Sequence, residues 1–585
     1  LLTPEEIDLL PLGARTLTLE LAARFLMDYL DGDIYFKVTR PEHNLIRART
    51  QIKLAQDMEE KYPPRNLPAD AKVTRFAPSP TGFVHFGGLF PTRVSERLAH
   101  QSGGVFLLRI EDTDAKREVE GAEENLISTL ESYGIVFDEG ASAGGGENGA
   151  YGPYRQSERK AIYHVFAKDL VKRGFAYPCF CTEEELSAIR AEQESEKADP
   201  GYYGKWAVWR DAPIEKIEER LSAGERFVLR FRSIGNPEHK MKFSDLVKGQ
   251  VEITENDRDH VLLKSDGIPT YHFAHAVDDH LMRTTHVVRG EEWLSSLPFH
   301  IQLFSALGFR LPKYLHISQL MKLEGNSKKK LSKRDHGVDM RWYDANGYAP
   351  EALTEYVMTL LNSNYEEWRS ANPAESFEKF PFSIKKMSTS GCLLDMDKLN
   401  DVSKNTIAAM SAEKVYDSVL AWARQYDSGF AVLLERDPEY AKRILRIGRG
   451  GKKPRKDIAV WADVKPYMGF FYDELFEAED EIPDAFAPED IRNIFLDFAA
   501  SYKVEDDSNT WFSGIKAIAD KYGYASDMKA YKRNPSDFKG SVADVSMFIR
   551  VAVTGRLNSP DMYEVMQILG SGRVVSRVKA AAEKL

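Results

Sequence analysis

The sequence predicts an α/β chain whose parallel sheet is split by an insertion and followed by a wholly helical C-terminal third. Three observations carry that reading. An apolar strand from Val73 to Ala77 runs through a loop rich in Pro and Gly, "PSPTGFVHFGG", into a helical pattern at Leu89. A second apolar run, "GGVFLLRIEDTD", is broken by acids, as a buried parallel strand ending at a site reads. After about residue 340 almost every segment has helical spacing, "PEALTEYVMTLLNS" and "DMYEVMQILG" among them.

Each element follows in order. Residues 1–70 are helical by pattern ("ARTLTLELAARFLMDYL", "RARTQIKLAQDMEEKY") and end in the linker "PPRNLP". The first half of the sheet occupies 71–174, with a helix from about Gly121 to Tyr133 and the glycine-rich loop "DEGASAGGGENGAYGP". An inserted α+β domain, 175–258, opens on a charged helix near Glu183–Lys197 and continues in short strands such as "RFVLRF". The strand pattern resumes over 259–312 in "HVLLKSDGIPTYHFAHAVDDHL" and "THVVRGEEW". A segment of 313–400 carries the basic run "KKKLSKRDHG", and 401–585 is helical. The result is a split, Rossmann-type parallel sheet, in which ligands bind at the carboxyl ends of the strands.

At 585 residues the chain exceeds one core, so three or more domains are expected. No run of about eighteen apolar residues occurs, which excludes an apolar spanning helix, and the first twenty residues lack a secretory pattern. Cys179, Cys181 and Cys392 are the only cysteines, so a disulfide framework is excluded and a reducing, cytoplasmic setting is expected. A net charge of -11 argues against a nucleic-acid partner unless basic patches are local.

The loop after Val73–Ala77 has the composition of a phosphate site. Gly82 permits a turn, Gly87 and Gly88 let a ring or phosphate approach the backbone, and His85 can donate a hydrogen bond. It is neither a P-loop nor GxGxxG. Far downstream, lysines and an arginine surround Ser332 in "KKKLSKRDHG". Together the two stretches resemble the HIGH and KMSKS motifs of class I aminoacyl-tRNA synthetases, as His85-Phe86-Gly87-Gly88 and Lys330-Leu331-Ser332-Lys333-Arg334. "RFAPSPTG", "RIEDTD", "YGPYRQSER", "THVVRGEEW" and "RVAVTGRLNSPDMYEVMQILG" narrow the resemblance to glutamyl-tRNA synthetases of the bacterial type.

That resemblance implies activation of L-glutamate by ATP, with Mg²⁺ accompanying the nucleotide, and transfer to tRNA(Glu) by a monomer not bound to a membrane. It implies catalytic roles for His85, Lys330 and Lys333, and an ATP site of His85, Gly87, Gly88, Lys330, Ser332 and Lys333. Glutamate, with one ammonium and two carboxylates, needs one anion and two cations. Glu111 supplies the anion; Arg75 and Arg289 supply planar forks; Ala77, Ser79, Tyr271 and His275 match further contacts. Arg289 is the discriminating residue, because a cation is wasted on a neutral amide. His275 stands where relatives often have Asn. The segment 313–400 is expected to contact the tRNA stem, and the helical region to form an anticodon-binding cage read by Arg455 and Arg550.

Some relatives carry zinc in the inserted domain. Here Cys179-Phe-Cys181 is half of such a site and "YYGKWAVWRD" offers no second half, so no zinc is expected. "DGDIYFKVTRPEHNLIRARTQIKLAQDMEEK" resembles the tail of phosphotransferase-fold sugar kinases, a fusion remnant or the end of a longer chain, with no activity assigned. Three alternatives stand beside the main reading: a catalytically silent tRNA-binding paralogue, a non-discriminating enzyme that also charges tRNA(Gln), and an enzyme that places glutamate on a tRNA base.

Overall fold

The computed structural model describes residues 3–61, 65–80, 82, 84–114, 119–325, 327–330, 339–451 and 453–585. Two helices, α1 (Pro4–Leu30) and α2 (His43–Lys61), form an antiparallel hairpin closed by Asp28, which accepts from Tyr35 N, Phe36 N and Asn44 Nδ2. Glu59 reaches Arg283 of the following domain at 2.7 Å. Arg65, placed by pattern in a linker, is almost fully buried against Glu139 and Met282 O and so ties that linker to the following domain.

Parallel strands β1 (Val73–Phe76) and β2 (Val105–Leu108) are joined through α3 (Phe86–His100). After α4 (Ala122–Ser132), β3 (Glu139–Ala141) pairs parallel with β2, and β4 (Glu147–Asn148) turns back on β3. Helix α5 (Lys160–Lys172) leads into the insertion. There β5 (Ala176–Cys179), α6 (Glu183–Ser195), α7 (Ile214–Ser222), β6 (Val228–Phe231), the hairpin β7 (Lys240–Asp245) and β8 (Gly249–Thr254), and β9 (Val261–Leu263) follow. β9 pairs antiparallel with β6, so the inserted sheet extends past the expected boundary at 258. Ladder bonds, which periodicity does not reveal, set that edge.

Helix α8 (Tyr271–Leu281) returns the chain to the main sheet, where β10 (His286–Gly290) and β11 (Lys313–Ile317) pair in parallel, connected by α9 (Leu297–Leu307). Thr285 N donates to Val73 O, which places β10 beside β1 and fuses the two halves in the order β11-β10-β1-β2-β3. The buried core of this sheet includes Phe106, Leu108, Val288 and Leu315.

Antiparallel β12 (Leu320–Glu324) and β13 (Ser327–Lys330) lead to α10 (Met340–Asn346) and α11 (Pro350–Leu361), and β14 (Cys392–Leu393) pairs with β12. Phe86 is fully buried, with ring centroids 5.6 Å from Tyr343 and 6.3 Å from Tyr356, so the bulky residue at the start of α3 fills the joint to α10 and α11. From Met396 onward helices pack around one continuous apolar core that includes Val419, Ile444, Phe495 and Phe548. The two cysteines of the insertion lie in a cluster with Phe180 and Trp209, both sulfurs 3.5 Å from Tyr202 OH.

Candidate active site

The site forms where β1, β2 and β10 end together. Arg75 lies in β1 and Arg289 in β10, while Glu111 follows β2 and donates its N–H to Pro78 O at 2.9 Å. That bond ties the loops holding Ala77, which is half-buried, and Ser79, which is exposed, to the carboxylate. Gly82 has φ +144°, a conformation an L side chain rarely adopts, and it turns the chain toward α3. His85 caps α3 in extended conformation and bridges to Asp339, while Met340 N bonds Val84 O. Nothing approaches within 4 Å of a Cβ placed on Gly87 or Gly88, so the first turn of α3 presents bare backbone to the site.

Lys330 is exposed at the end of β13, opposite Met321. Ser332, Lys333, Leu331 and Arg334 lie outside the described residues. The segment that contains them starts at Lys330 and ends at Asp339, which the bridge places beside His85. The described C-terminal flank of the second stretch thus meets His85 at Asp339.

Charge in the pocket is organised around Asp279. This carboxylate is buried and receives Arg75 Nε at 3.2 Å and Arg109 Nη1 at 2.6 Å, with His275 Nδ1 at 2.8 Å. Although burial favours the protonated acid, Arg75, Arg109 and His275 hold it well below the ordinary carboxylate range. Its neighbour Asp278 faces the other way, to Arg159, Gln156 and Tyr163. Against the penalty of burial, Asp279, Asp278 and Glu111 hold Arg109 above its usual value. Burial pushes Glu111 up to about 7, opposed by Arg109 and Arg75.

Arg75 thus has its charge compensated. Arg289 does not: among the described residues no carboxylate lies within ion-pairing distance of it. Its partners are neutral acceptors, His316 Nε2 at 2.9 Å, His300 Nδ1 at 3.0 Å and Trp293 O at 3.5 Å, and it lies over Tyr314. Tyr271 stacks parallel to His275 and packs on Trp293 with centroids 4.3 Å apart, closing the same pocket.

His275 lies in the interior of the fold. It is fully buried beneath Tyr271, its Nε2 2.9 Å from Tyr314 OH and its Nδ1 beside Asp279. Burial lowers it to about 4, so it is neutral at physiological pH. Arg109, Asp278, Asp279, His300 and His316 escaped the sequence reading. The signal for two of them was the acidic pair in the apolar helix "YHFAHAVDDHL", since a buried charge requires a partner.

Arg455 and Arg550 converge in the helical region. Both line a cavity of about 640 Å³ with Trp511, Phe512 and Asn558, and Arg455 is held by Asp457 at 2.6 and 2.9 Å. Arg550 Nη1 donates to Leu557 O at 3.2 Å. Among the described residues no helix is long and apolar enough to cross a membrane.

The family model for "tRNA synthetases class I (E and Q), catalytic domain" matches residues 72–401, and that for an "Anticodon binding domain" matches 528–582. A glutamate–tRNA ligase of Acetivibrio thermocellus is 51% identical over 519 residues, 88% of this chain and 95% of that protein. One from Sorangium cellulosum is 45% identical over 560 residues, 91% of this chain and 98% of that protein. The crystal structure of a glutamate-tRNA synthetase from Elizabethkingia anophelis is similar with a TM-score of 0.68 at 29% identity, covering 88% of this chain and 100% of that one.

Proposed function

We propose, from the premise that this chain belongs to the class I tRNA synthetases for glutamate and glutamine, that it ligates L-glutamate to tRNA(Glu) through a glutamyl-adenylate. The α-carboxylate of glutamate attacks the α-phosphorus of ATP, supplied as its Mg²⁺ complex, and pyrophosphate leaves. The terminal adenosine of the tRNA then attacks the activated carbonyl, and AMP leaves. Neither step needs a covalent bond to the protein, so the chain contributes positioning and charge.

In this reading His85 and Lys330, with Ser332 and Lys333, meet the phosphates, and the open backbone at Gly87 and Gly88 receives the nucleotide. Glu111 takes the ammonium, helped by Tyr271, Ser79 and Ala77. Arg75 offers its terminal nitrogens to the α-carboxylate, because only its Nε is used by Asp279. Arg289 takes the side-chain carboxylate. His275 acts indirectly, by fixing Asp279 and Tyr271. The observation that carries the reading is that, among the described residues, Arg289 has no carboxylate partner, while Arg75 and Arg109 are both paired with Asp279. ATP–pyrophosphate exchange with glutamate and tRNA present tests it. Exchange stimulated by glutamate and not by glutamine is the expected result, and no exchange under those conditions rejects the proposal.

Two further outcomes follow. Glu111 binds an ammonium only when ionised, and its free-pocket value lies near 7. Apparent affinity for glutamate should therefore rise with pH through about 7. Exchange measured from pH 5.5 to 8.5 should show this in kcat/KM, and the Glu111→Gln variant should lose both the affinity and the inflection. Arg455 and Arg550 are assigned to the anticodon, local cations that let an acidic protein hold RNA. Replacement Arg455→Gln should lower the preference for tRNA(Glu) over tRNA(Gln) about tenfold, the order of one lost base contact. Charging assays on the two purified tRNAs read this directly; an unchanged ratio removes Arg455 from that role.

A further inference from the structure

We infer that His316, seated on Asp245, and His300, seated on His272, are positioning residues that aim Arg289 at the side-chain carboxylate of glutamate while leaving its charge uncancelled. The inference rests on the assignment of Arg289 made above.

The hydrogen bonds fix the direction of every proton. Arginine only donates, so His316 Nε2 and His300 Nδ1 must be the acceptors at 2.9 and 3.0 Å. His316 Nδ1–H then donates to Asp245 Oδ2 at 2.7 Å, and His300 Nε2–H donates to His272 Nδ1 at 2.8 Å. Both His316 and His300 are fully buried, and burial keeps all three rings neutral. Asp245 is itself pinned by the N–H groups of Val247 and Lys248 at 2.9 and 2.8 Å, which holds it one ring away from the guanidinium.

This arrangement does two things. Of the five guanidinium N–H groups, Nε, one on Nη1 and one on Nη2 are occupied. One N–H remains on each terminal nitrogen, two donors that a carboxylate can accept. A carboxylate at position 316 would also orient the fork, but it would cancel the charge and let a neutral amide compete. Two imidazole lone pairs orient without neutralising. Asp245 closes β7, so a residue of the inserted domain helps to shape the amino-acid pocket.

The test uses the full chain in ATP–pyrophosphate exchange with tRNA present. His316→Leu should raise KM for glutamate about 10- to 100-fold, the usual effect of losing an orienting partner, with KM for ATP moved less than about threefold. His316→Gln, whose amide oxygen accepts from Nε, should return KM for glutamate to within about threefold of the parent. His316→Glu should reduce the preference for glutamate over glutamine at least about tenfold. The inference is overturned if KM for glutamate and ATP rise together, if His316→Gln is as impaired as His316→Leu, or if His316→Glu keeps the parental preference. Should His316→Leu unfold below the assay temperature, the Gln and Glu variants decide alone. A parent that ignores glutamate rejects the glutamate reading. A responsive parent with an indifferent Arg289→Met variant rejects the role of Arg289. Indifferent His316 variants beside a sensitive Arg289→Met reject only this inference.

Discussion

Replacing Arg289 by methionine is expected to lower kcat/KM for glutamate by about three orders of magnitude, since two charge-assisted hydrogen bonds in a buried site are together worth about 3–5 kcal/mol. The size of the effect comes from what surrounds the side chain. Arg289 is 5% exposed and its partners among the described residues are imidazoles and a carbonyl, so in the proposed role the glutamate carboxylate supplies its counter-charge. Methionine fills similar volume over Tyr314 and removes the charge. It also leaves His316 and His300 without a donor. KM for ATP should be little changed, because the proposed nucleotide site is at the start of α3. Discrimination against glutamine should collapse together with the affinity for glutamate, which a general weakening of the fold does not produce. Arg289→Lys keeps the charge but not the fork and should fall between. Steady-state exchange with glutamate, glutamine and ATP varied in turn measures all three. A methionine variant within about tenfold of the parent for glutamate would sink the assignment, since one decade is only about 1.4 kcal/mol.

How far the site was legible in the sequence depended on the range of the interaction. The loop from Arg75 to Gly88 was readable because a strand period gives way to Pro and Gly and then to a helix period within fourteen positions. The structure keeps that order: β1, a turn at Gly82, then α3 capped at His85. Arg75, Glu111 and Arg289 could be proposed because glutamate's charges demand their types and their local words matched a family. The residues that make those three work were not readable. Arg109 meets Asp279 across 170 positions and His316 meets Asp245 across 71, and no local pattern encodes such pairings. His275 shows the converse. Its position suggested a ligand contact, and no local pattern showed that its ring sits under Tyr271 against Asp279 and Tyr314. The β9 edge of the insertion followed the same rule, since its strand character was visible and its partner was not.

Asp279 is the residue whose loss should most damage the fold itself. It stands between Arg75 and Arg109, both buried, and no water is needed to explain its ionisation. Removing one member of such a group leaves charges in a poorly polarisable interior, which typically costs about 3–5 kcal/mol. Asp279→Ala should therefore unfold far more readily than the parent in denaturant, by an amount approaching the whole stability of a modest domain. Asp279→Asn keeps the shape and isolates the charge. Its pH dependence has a definite sign. The native carboxylate is held well below its unfolded value, so its contribution is complete above about pH 4 to 5 and is lost only as pH falls through the native value. The difference between parent and Asp279→Asn should thus be constant near neutrality and shrink on acidification. Activity gives an independent check, because Arg75 freed from Asp279 should turn toward Glu111, which lies close enough to feel its charge. That pairing competes directly with the ammonium of the substrate, so KM for glutamate should rise even at temperatures where Asp279→Asn stays folded. If denaturation midpoints of parent and Asp279→Asn coincide at pH 7, the carboxylate is not what holds these two arginines in place.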